Sequence, residues 1–137
     1  MTDKNDWARP FAVPVVLGML LLGVANGRTA WADGDPAAGE TVFRKCAACH
    51  TVESGKHKIG PSLLGVVGRT PGTAAGYRYS DAMRAFGQNG KVWDETALAT
   101  YLANPRSLVK GTRMAFPGLK AATERDNVIA YLKSLAR

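Results

Sequence analysis

The chain contains the stretch Cys-Ala-Ala-Cys-His at residues 46–50, which holds both cysteines of the 137-residue sequence. Residues three and four apart lie on one face of a helical turn, so Cys46, Cys49 and His50 project in the same direction. This spacing suits covalent attachment of a c-type haem, in which each thiol forms a thioether and the histidine becomes a proximal iron ligand. The sequence therefore predicts one haem c, bound through Cys46 and Cys49, with His50 on the iron.

Two other kinds of site use similar residues. A thioredoxin-like redox pair needs a βαβ setting, and the sequence contains no strong strand pattern. A structural zinc site needs four ligands, which Cys46, Cys49, His50 and His57 could supply only as a cramped set. Haem attachment is therefore favoured over both alternatives.

Residues 1–32 have the features of an export signal. A weakly basic start precedes an apolar run at residues 11–25, which is shorter than the roughly 20 residues that span a bilayer. Ala30-Trp31-Ala32 then has the small-residue pattern of a signal peptidase site. We predict a signal peptide that is cleaved after Ala32, a mature domain of residues 33–137 and a location in a bacterial periplasm. The alternative is an uncleaved membrane anchor.

Capping residues predict four short helices in the mature chain. Asp35 with Pro36 begins the first helix, and Asp94 caps the third. Ser80 or Asp81 caps the second, whereas a Thr123–Asp126 pair resembles a capping box before the last. The predicted helices are 36–45, 81–88, 95–103 and one that ends near residue 136. Gly39 on the first helix is the expected point of close crossing with the last.

Two long segments, residues 51–79 and 106–119, show little periodicity and many glycines and prolines. A loop as long as the first is unexpected in a compact domain unless it wraps a large group. We expect the haem to supply much of the core, and the expected apolar contacts are Ile59, Leu63, Leu64, Val66 and Val67. The fold class is therefore all-α, with about four short helices and long loops around one haem.

The iron has a second axial position, for which the residues offer several candidates. The candidates in the mature chain are Met83, Met114 and His57, and the remaining alternative is a position without a protein ligand. Met114 lies on a loop between Gly111 and Pro117, which suits a ligand that must reach the distal side. Because methionine is more often a core residue than a ligand, the residues alone do not decide.

The mature chain carries a formal charge of +6 out of +7 for the whole sequence. The basic residues are scattered, and no nucleic-acid-binding motif is present. The charge therefore favours an acidic protein partner or an anionic membrane surface over nucleic acid.

From residue 34 to about residue 135 the chain resembles the class I cytochromes c, both the mitochondrial protein and its bacterial periplasmic counterparts. The motifs that carry the resemblance are Cys46–His50 running into Thr51-Val52-Glu53, Gly55-Lys56-His57-Lys58 with Gly60-Pro61, Gly68-Arg69-Thr70, Gly76-Tyr77 to Asp81-Ala82, Tyr101-Leu102 with Asn104-Pro105, Gly111-Thr112 with Met114, and Ile129-Ala130-Tyr131-Leu132-Lys133.

The resemblance implies that His50 and Met114 are the axial ligands and that the carbonyl of Pro61 accepts a hydrogen bond from His50. It also gives His57 a structural role. The other haem contacts that it implies are Arg69, Tyr79 and Trp93 at the propionates, Tyr101 and Thr112 near the methionine sulfur or a propionate, and Phe116 at the haem edge.

The chain departs from the family pattern in two respects. Met83 stands where mitochondrial members usually carry an asparagine of the distal hydrogen-bond network. The basic ring around the haem edge is thinner than in mitochondrial members, and its expected members are Lys45, Lys56, Lys58, Arg106, Arg113 and Lys120.

The resemblance implies a soluble one-electron carrier rather than an enzyme. Its expected partners are the acidic docking faces of a cytochrome bc complex and of a terminal oxidase or photosynthetic reaction centre. Neither a small-molecule substrate nor nucleic acid is expected, and the carrier is expected to be a monomer. One alternative is a peroxidase-like haem enzyme or the haem subunit of a dehydrogenase, which needs an open iron position or a second cofactor site. Another is a gas sensor, which requires that Met114 be displaced easily.

Overall fold

The computed structural model describes residues 34–136, which form five α-helices and no β-strand. The helices are α1 (Pro36–Ala47), α2 (Asp81–Phe86), α3 (Glu95–Ala103), α4 (Pro105–Leu108) and α5 (Ala122–Ser134). The predicted all-α class is confirmed. Within residues 34–136, no helix combines the length and the apolar character needed to cross a membrane. The predicted signal peptide and its cleavage site lie outside the described residues.

Side-chain caps confirm three of the predicted helix starts. Asp35 accepts a hydrogen bond from the backbone N–H of Ala37 at 2.8 Å, and Asp94 caps α3 in the same way at 2.7 Å. Ser80, rather than Asp81, caps α2. The first helix extends to residue 47. α2 ends at residue 86, earlier than predicted, and the N–H of Gly87 donates to the carbonyls of Met83 and Ala85.

The prediction of an irregular segment from residue 106 to 119 is partly wrong, because it contains α4. Asn104 ends α3 with an extended backbone, and its side chain then accepts from the N–H of Ser107 at 3.2 Å. Pro105 occupies the first position of the new helix, where its missing N–H has no consequence. One asparagine therefore separates two helices that follow each other directly.

The predicted capping box of Thr123 with Asp126 is wrong. α5 begins at Ala122, and the residue before it, Ala121, makes no side-chain capping bond. The side chain of Asn127, in the second turn of α5, accepts from the N–H of Asp35 at 2.8 Å and joins this helix to the start of α1.

α1 and α5 cross at Gly39, as predicted. A β-carbon on Gly39 would lie 2.6 Å from the carbonyl carbon of Asn127 and 2.8 Å from Cβ of Tyr131. Close to this crossing, the rings of Phe43 and Tyr131 pack with centroids 5.5 Å apart. The buried apolar and aromatic residues of these two helices and of α3 are Val42, Phe43, Leu98, Tyr101, Leu102, Val128, Ile129 and Leu132.

The loop between α1 and α2 contributes apolar side chains to the interior, with one exception. Val66 is buried, and Leu63 and Val67 are partly buried against the same core. Ile59, however, is 80% exposed and does not pack on the protein core. The hydrogen bonds of its own carbonyl and of the next residue hold this part of the loop, and they leave the isoleucine side chain outside.

Candidate haem-binding site

The Cys-Ala-Ala-Cys-His stretch continues α1 by one turn. The backbone N–H groups of Cys49 and His50 both donate to the carbonyl of Cys46, at 3.0 and 2.9 Å. Both thiols are free; that of Cys46 is partly buried and that of Cys49 is exposed. Burial raises the pKa of the Cys46 thiol, although the charge of Lys45 partly opposes this. The two thiols and the imidazole therefore belong to one helical turn, the arrangement that the spacing predicts.

The imidazole of His50 is held in one tautomer. Its Nδ1 atom lies 2.8 Å from the carbonyl oxygen of Pro61, and because a carbonyl only accepts, Nδ1 carries the proton. Burial lowers the pKa of His50, with partial opposition from the Pro61 hydrogen bond. At neutral pH the ring is therefore neutral, and the lone pair of Nε2 is free, which is the form that binds a metal.

Gly60 allows the backbone to lie against this imidazole. A β-carbon there would lie 2.6 Å from Nδ1 and 2.8 Å from Nε2 of His50, and the Gly60 N–H donates to the carbonyl of Cys49 at 2.8 Å. In the sequence Gly60 is one of many glycines of an irregular segment, so its contact with the His50 ring was not predicted.

The second histidine has no nitrogen available for a metal. Nδ1 of His57 accepts from the N–H of Ser62 at 3.0 Å, and Nε2 must then donate to the carbonyl of Ala75 at 2.8 Å. His57 therefore joins two parts of the loop, and this use of both nitrogens argues against it as a zinc ligand or as the sixth iron ligand.

Arg69, Tyr79 and Trp93 lie together at one side of the interior. Trp93 donates its backbone N–H to the carbonyl of Arg69 at 2.9 Å. The pKa of Tyr79 is raised by burial, while the nearby charge of Arg69 opposes the shift. The Arg69 guanidinium donates to the carbonyls of Ser62 and Leu64, each at 3.1 Å, and within residues 34–136 it has no carboxylate partner.

The side chain of Trp93 lies at the same place and is 6% exposed. Its indole N–H and the Arg69 guanidinium are donors of the kind that suit an anion. The carboxylates of a haem would supply the missing charge.

Tyr101 and Thr112 form a hydrogen-bonded pair next to Met114. The Tyr101 hydroxyl lies 3.1 Å from Oγ1 of Thr112, which also accepts from the N–H of Met114 at 3.2 Å. Tyr101 is buried, and this burial raises its pKa. Its ring also packs on Trp93, with centroids 4.9 Å apart. The Met114 backbone is thus tied through two side chains to α3.

The other predicted haem contacts, Met114 and Phe116, and the alternative ligand Met83 differ in burial. Met83 is buried on α2 and belongs to the core, whereas Met114 is partly buried against that core. Phe116 lines an open cleft of about 250 Å³ with Asn104, Arg106, Ala115 and Pro117.

Arg125 has a role that the sequence did not indicate. Its guanidinium donates to the carbonyls of Leu119 and Lys120 at 2.7 and 2.9 Å, which ties the end of the Met114 loop to α5. Because the acceptors are backbone atoms, no residue type in the sequence reveals this bond.

These residues fit a covalently held haem. The turn of residues 46–50 supplies two free thiols and a neutral imidazole. Arg69 supplies a cation, and Trp93 supplies an indole N–H donor. The partly buried apolar or aromatic side chains that would face such a group include Leu63, Val67, Tyr79, Met114 and Phe116.

Comparison with known proteins agrees with this assignment. The family model of cytochrome c matches residues 36–136. The cytochrome c of Guizotia abyssinica is 48% identical over 103 residues, which cover 74% of this chain and 90% of that protein. The cytochrome c2 of Rhodoblastus acidophilus is 49% identical over 100 residues, covering 72% and 91%.

A solved structure gives the same result for the fold. Cytochrome cH from Methylobacterium extorquens superposes with a TM-score of 0.68 at 45% sequence identity, covering 74% of this chain and 99% of that one. The class I cytochrome c fold is thereby confirmed. The chain therefore belongs to the cytochrome c family, whose members bind haem c covalently and carry electrons between protein partners rather than catalyse a reaction.

Proposed function

We propose that the protein is a soluble carrier of single electrons, with one haem c attached to Cys46 and Cys49 and ligated by His50 and Met114. The observation that carries the proposal is the fixed tautomer of His50, which presents a free Nε2 on the same turn as two free thiols. When bound, the haem iron supplies the ferric–ferrous couple.

Met114 is the proposed distal ligand. Thr112 and Tyr101 hold the backbone at Met114, and the hydrogen bonds of His57 leave that residue no free nitrogen. A methionine ligand favours a higher reduction potential than a second nitrogen ligand. With protein atoms in both axial positions, substrates have no access to the iron, which suits a carrier.

The second group of proposed contacts surrounds the haem periphery. Arg69, Tyr79 and Trp93 would hold the propionates, because the first is a partly buried cation and the others bring hydroxyl and indole donors. Tyr101 and Thr112 would set the polarity near the methionine sulfur, and Phe116 would cover the haem edge.

The proposed partners are acidic docking faces of membrane redox complexes: a cytochrome bc complex as donor, and a terminal oxidase or photosynthetic reaction centre as acceptor. The formal charge of +6 on residues 33–137 supports electrostatic steering toward such faces. Arg106, Lys110 and Arg113 have no ion-pair partner among residues 34–136. A small interface that dissociates quickly suits a monomeric shuttle.

Two lysines of the expected basic ring are engaged within the molecule. Nζ of Lys45 lies 2.5 Å from Glu124, and Nζ of Lys56 lies 2.5 Å from Glu53. Their charges are partly neutralised, so we assign the main docking role to the arginines and to Lys110.

We also propose that the protein is exported. The apolar run and the Ala30-Trp31-Ala32 site support cleavage after Ala32 and a periplasmic location for residues 33–137. Mass spectrometry of the protein purified from periplasm tests this, because cleavage there leaves Asp33 as the first residue.

The ligand assignment is tested by the weak red absorption band that methionine ligation gives to ferric haem. We expect Met114→Ala to lose this band and to lower the reduction potential, and Met83→Leu to retain the band. A wild-type protein without the band overturns the assignment of Met114, and loss in Met83→Leu alone transfers the ligand role to Met83. Tight binding of carbon monoxide by the reduced wild type at neutral pH would favour a gas sensor instead.

A further inference from the structure

The loop between α2 and α3 contains an exposed turn with an unusual backbone. Asn89 has a φ of 63°, and among residues 34–136 it is the one residue other than glycine with a positive φ. Asparagine tolerates this left-handed conformation better than most residues. Gly90 follows with a φ of 72°, and an Asn-Gly pair is typical of a tight turn. Both residues are exposed, so water reaches the turn.

Hydrogen bonds hold this loop at its two ends. The N–H of Gln88 donates to the last turn of α2 at 3.2 Å, and the N–H of Trp93 donates to the carbonyl of Arg69 at 2.9 Å. The backbone of residues 89–92 makes no hydrogen bond within residues 34–136. The backbone of the Asn-Gly pair can therefore rotate without the loss of a hydrogen bond.

Two groups of the turn that can react with each other are both unengaged. Neither the side-chain amide of Asn89 nor the N–H of Gly90 has a hydrogen-bond partner in the described part of the chain. A β-carbon on Gly90 would have no neighbour within 4 Å, so the space beside its nitrogen is open. Glycine also has no side chain that could hinder a reaction at its own nitrogen. Rotation of the backbone therefore lets this nitrogen reach Cγ of Asn89.

The other asparagines within residues 34–136 lie in different settings. Asn104 precedes Pro105, whose nitrogen carries no proton, and its side chain accepts from the N–H of Ser107 at 3.2 Å. Asn127 lies within α5, and its side chain accepts from the N–H of Asp35 at 2.8 Å. These two asparagines serve as internal controls for the exposed turn.

We propose that Asn89 is a site of spontaneous deamidation. The nitrogen of Gly90 attacks Cγ of Asn89, loses its proton and displaces the side-chain nitrogen as ammonia, which leaves a cyclic succinimide. Water then opens the ring at one of its two carbonyl carbons. Opening at Cγ gives aspartate with the ordinary peptide bond, whereas opening at the backbone carbonyl gives isoaspartate, in which the chain runs through the side chain. In total one water is taken up and one ammonia is released, without an oxidant or an enzyme.

The modification changes the charge of the protein surface. Either product has a carboxylate where the newly made chain has a neutral amide, so the formal charge of residues 33–137 falls from +6 to +5. The new carboxylate lies two residues from Lys91, whose ammonium group lies 4.3 Å from the centre of the Phe86 ring. The protein thus becomes, with time, a mixture of charge forms. This inference does not depend on the proposed function.

The test incubates the holoprotein at neutral and at mildly alkaline pH, followed by cation-exchange chromatography and mass spectrometry of its peptides. We expect the wild type to convert into forms that elute earlier, with the mass change of deamidation in the peptide that contains Asn89. Conversion is expected to be faster at alkaline pH, because the attacking nitrogen must lose its proton. Peptides with Asn104 and Asn127 are expected to keep their mass. A second Asn-Gly pair, Asn26-Gly27, lies in the predicted signal peptide and would appear in a separate peptide.

Two variants test the reacting groups separately. Asn89→Gln is expected to remain a single charge form, because the longer side chain would have to close a larger ring. Gly90→Ala is expected to slow the conversion about tenfold, because the added β-carbon hinders the attacking nitrogen. Asn89→Gln leaves Gly90 and its positive φ in place, so it tests the site independently of any change that alanine causes in the turn. Asn89→Asp is expected to elute with one of the two wild-type products.

Three results would overturn the proposal. The first is an Asn89 peptide that keeps its mass in the folded wild type while the same peptide, excised and incubated alone, deamidates, because the fold then protects the site. The second is equal conversion at Asn89, Asn104 and Asn127, because the exposed turn then confers no selectivity. The third is conversion of Asn89→Gln at the wild-type rate, because the charge change then arises elsewhere.

Discussion

Nδ1 of His50 lies 2.8 Å from the carbonyl oxygen of Pro61, and the preceding residue, Gly60, lies against the same imidazole. The chain thus fixes both the proton and the orientation of the ring through two consecutive residues. In many metal sites the hydrogen-bond partner of a metal-binding histidine fixes the proton and the ring orientation in this way.

Replacement of Gly60 with alanine is expected to displace the imidazole, because the new methyl group would lie 2.6 Å from Nδ1 of His50. We expect a loss of about 1–3 kcal/mol in unfolding free energy and a changed haem absorption spectrum. Denaturant unfolding and spectroscopy of the holoprotein measure both. Gly55→Ala is the control, because Gly55 has a positive φ of 67° but no neighbour within 4 Å; it should reduce stability without a spectral change. An unaltered spectrum in Gly60→Ala would refute the contact.

Gly39→Ala tests the crossing of α1 with α5. In an isolated helix alanine is more favourable than glycine by about 1 kcal/mol, but here the methyl group meets Asn127 and Tyr131. We expect a net loss of about 1–3 kcal/mol in unfolding free energy, with the reduction potential unchanged. Thr41→Ala, at an exposed position of the same helix, should stabilise slightly. A Gly39→Ala protein as stable as wild type would mean that the helices do not approach so closely.

Arg113→Gln and Lys45→Gln remove the same charge from residues in different settings. Arg113 has no ion-pair partner among residues 34–136, whereas Lys45 pairs with Glu124. We expect Arg113→Gln to slow reduction by the cytochrome bc complex about three- to tenfold at low ionic strength, and Lys45→Gln to slow it less. Lys45→Gln should instead lower the unfolding free energy by about 0.2–1 kcal/mol. Equal rates for the two variants would show that pairing with Glu124 does not matter for docking.

Tyr101→Phe is expected to change stability at alkaline pH. Burial raises the pKa of Tyr101 above its ordinary value of 10.0, so the folded state favours the neutral phenol. The resulting stabilisation is complete below pH 10 and is lost as the pH rises toward the folded-state pKa. For one proton the slope is at most about 1.4 kcal/mol per pH unit.

The measurement is the unfolding free energy of wild type and Tyr101→Phe between pH 8 and 11 or higher, roughly the range in which tyrosine titrates. Other tyrosines with raised pKa values, Tyr79 and Tyr131, are present in both proteins, so the difference reports Tyr101. We expect the wild type to lose more stability than the variant above pH 10. Parallel curves would contradict the assigned burial of the phenol.

Features that depend on neighbours in sequence could be predicted. Asp35, Ser80 and Asp94 cap the helices that follow them through bonds that span two or three residues. The Gly39 crossing was also predictable, since a glycine on an otherwise amphipathic helix indicates a close neighbour. The Cys46–His50 turn follows directly from its spacing.

Features that depend on distant residues could not be predicted. The Lys45–Glu124 pair joins residues 79 positions apart. The sequence therefore does not show that the charge of Lys45 is partly neutralised. Ile59 is an apolar residue of the kind found in protein cores, yet its side chain is 80% exposed. Hydrogen bonds to Tyr77 and Cys49 hold the backbone of this segment. α5 begins without a capping side chain, and the bond between Asn127 in its second turn and Asp35 joins residues 92 positions apart.

The pairing of α1 with α5 also determines the order in which the domain can be completed. The bond between Asp35 and Asn127 joins residues 92 positions apart. α1, which leads into the turn with Cys46 and Cys49, therefore lacks its main packing partner until the chain is complete through α5. Pairing of the two ends of the domain is the step that joins the attachment turn to the core.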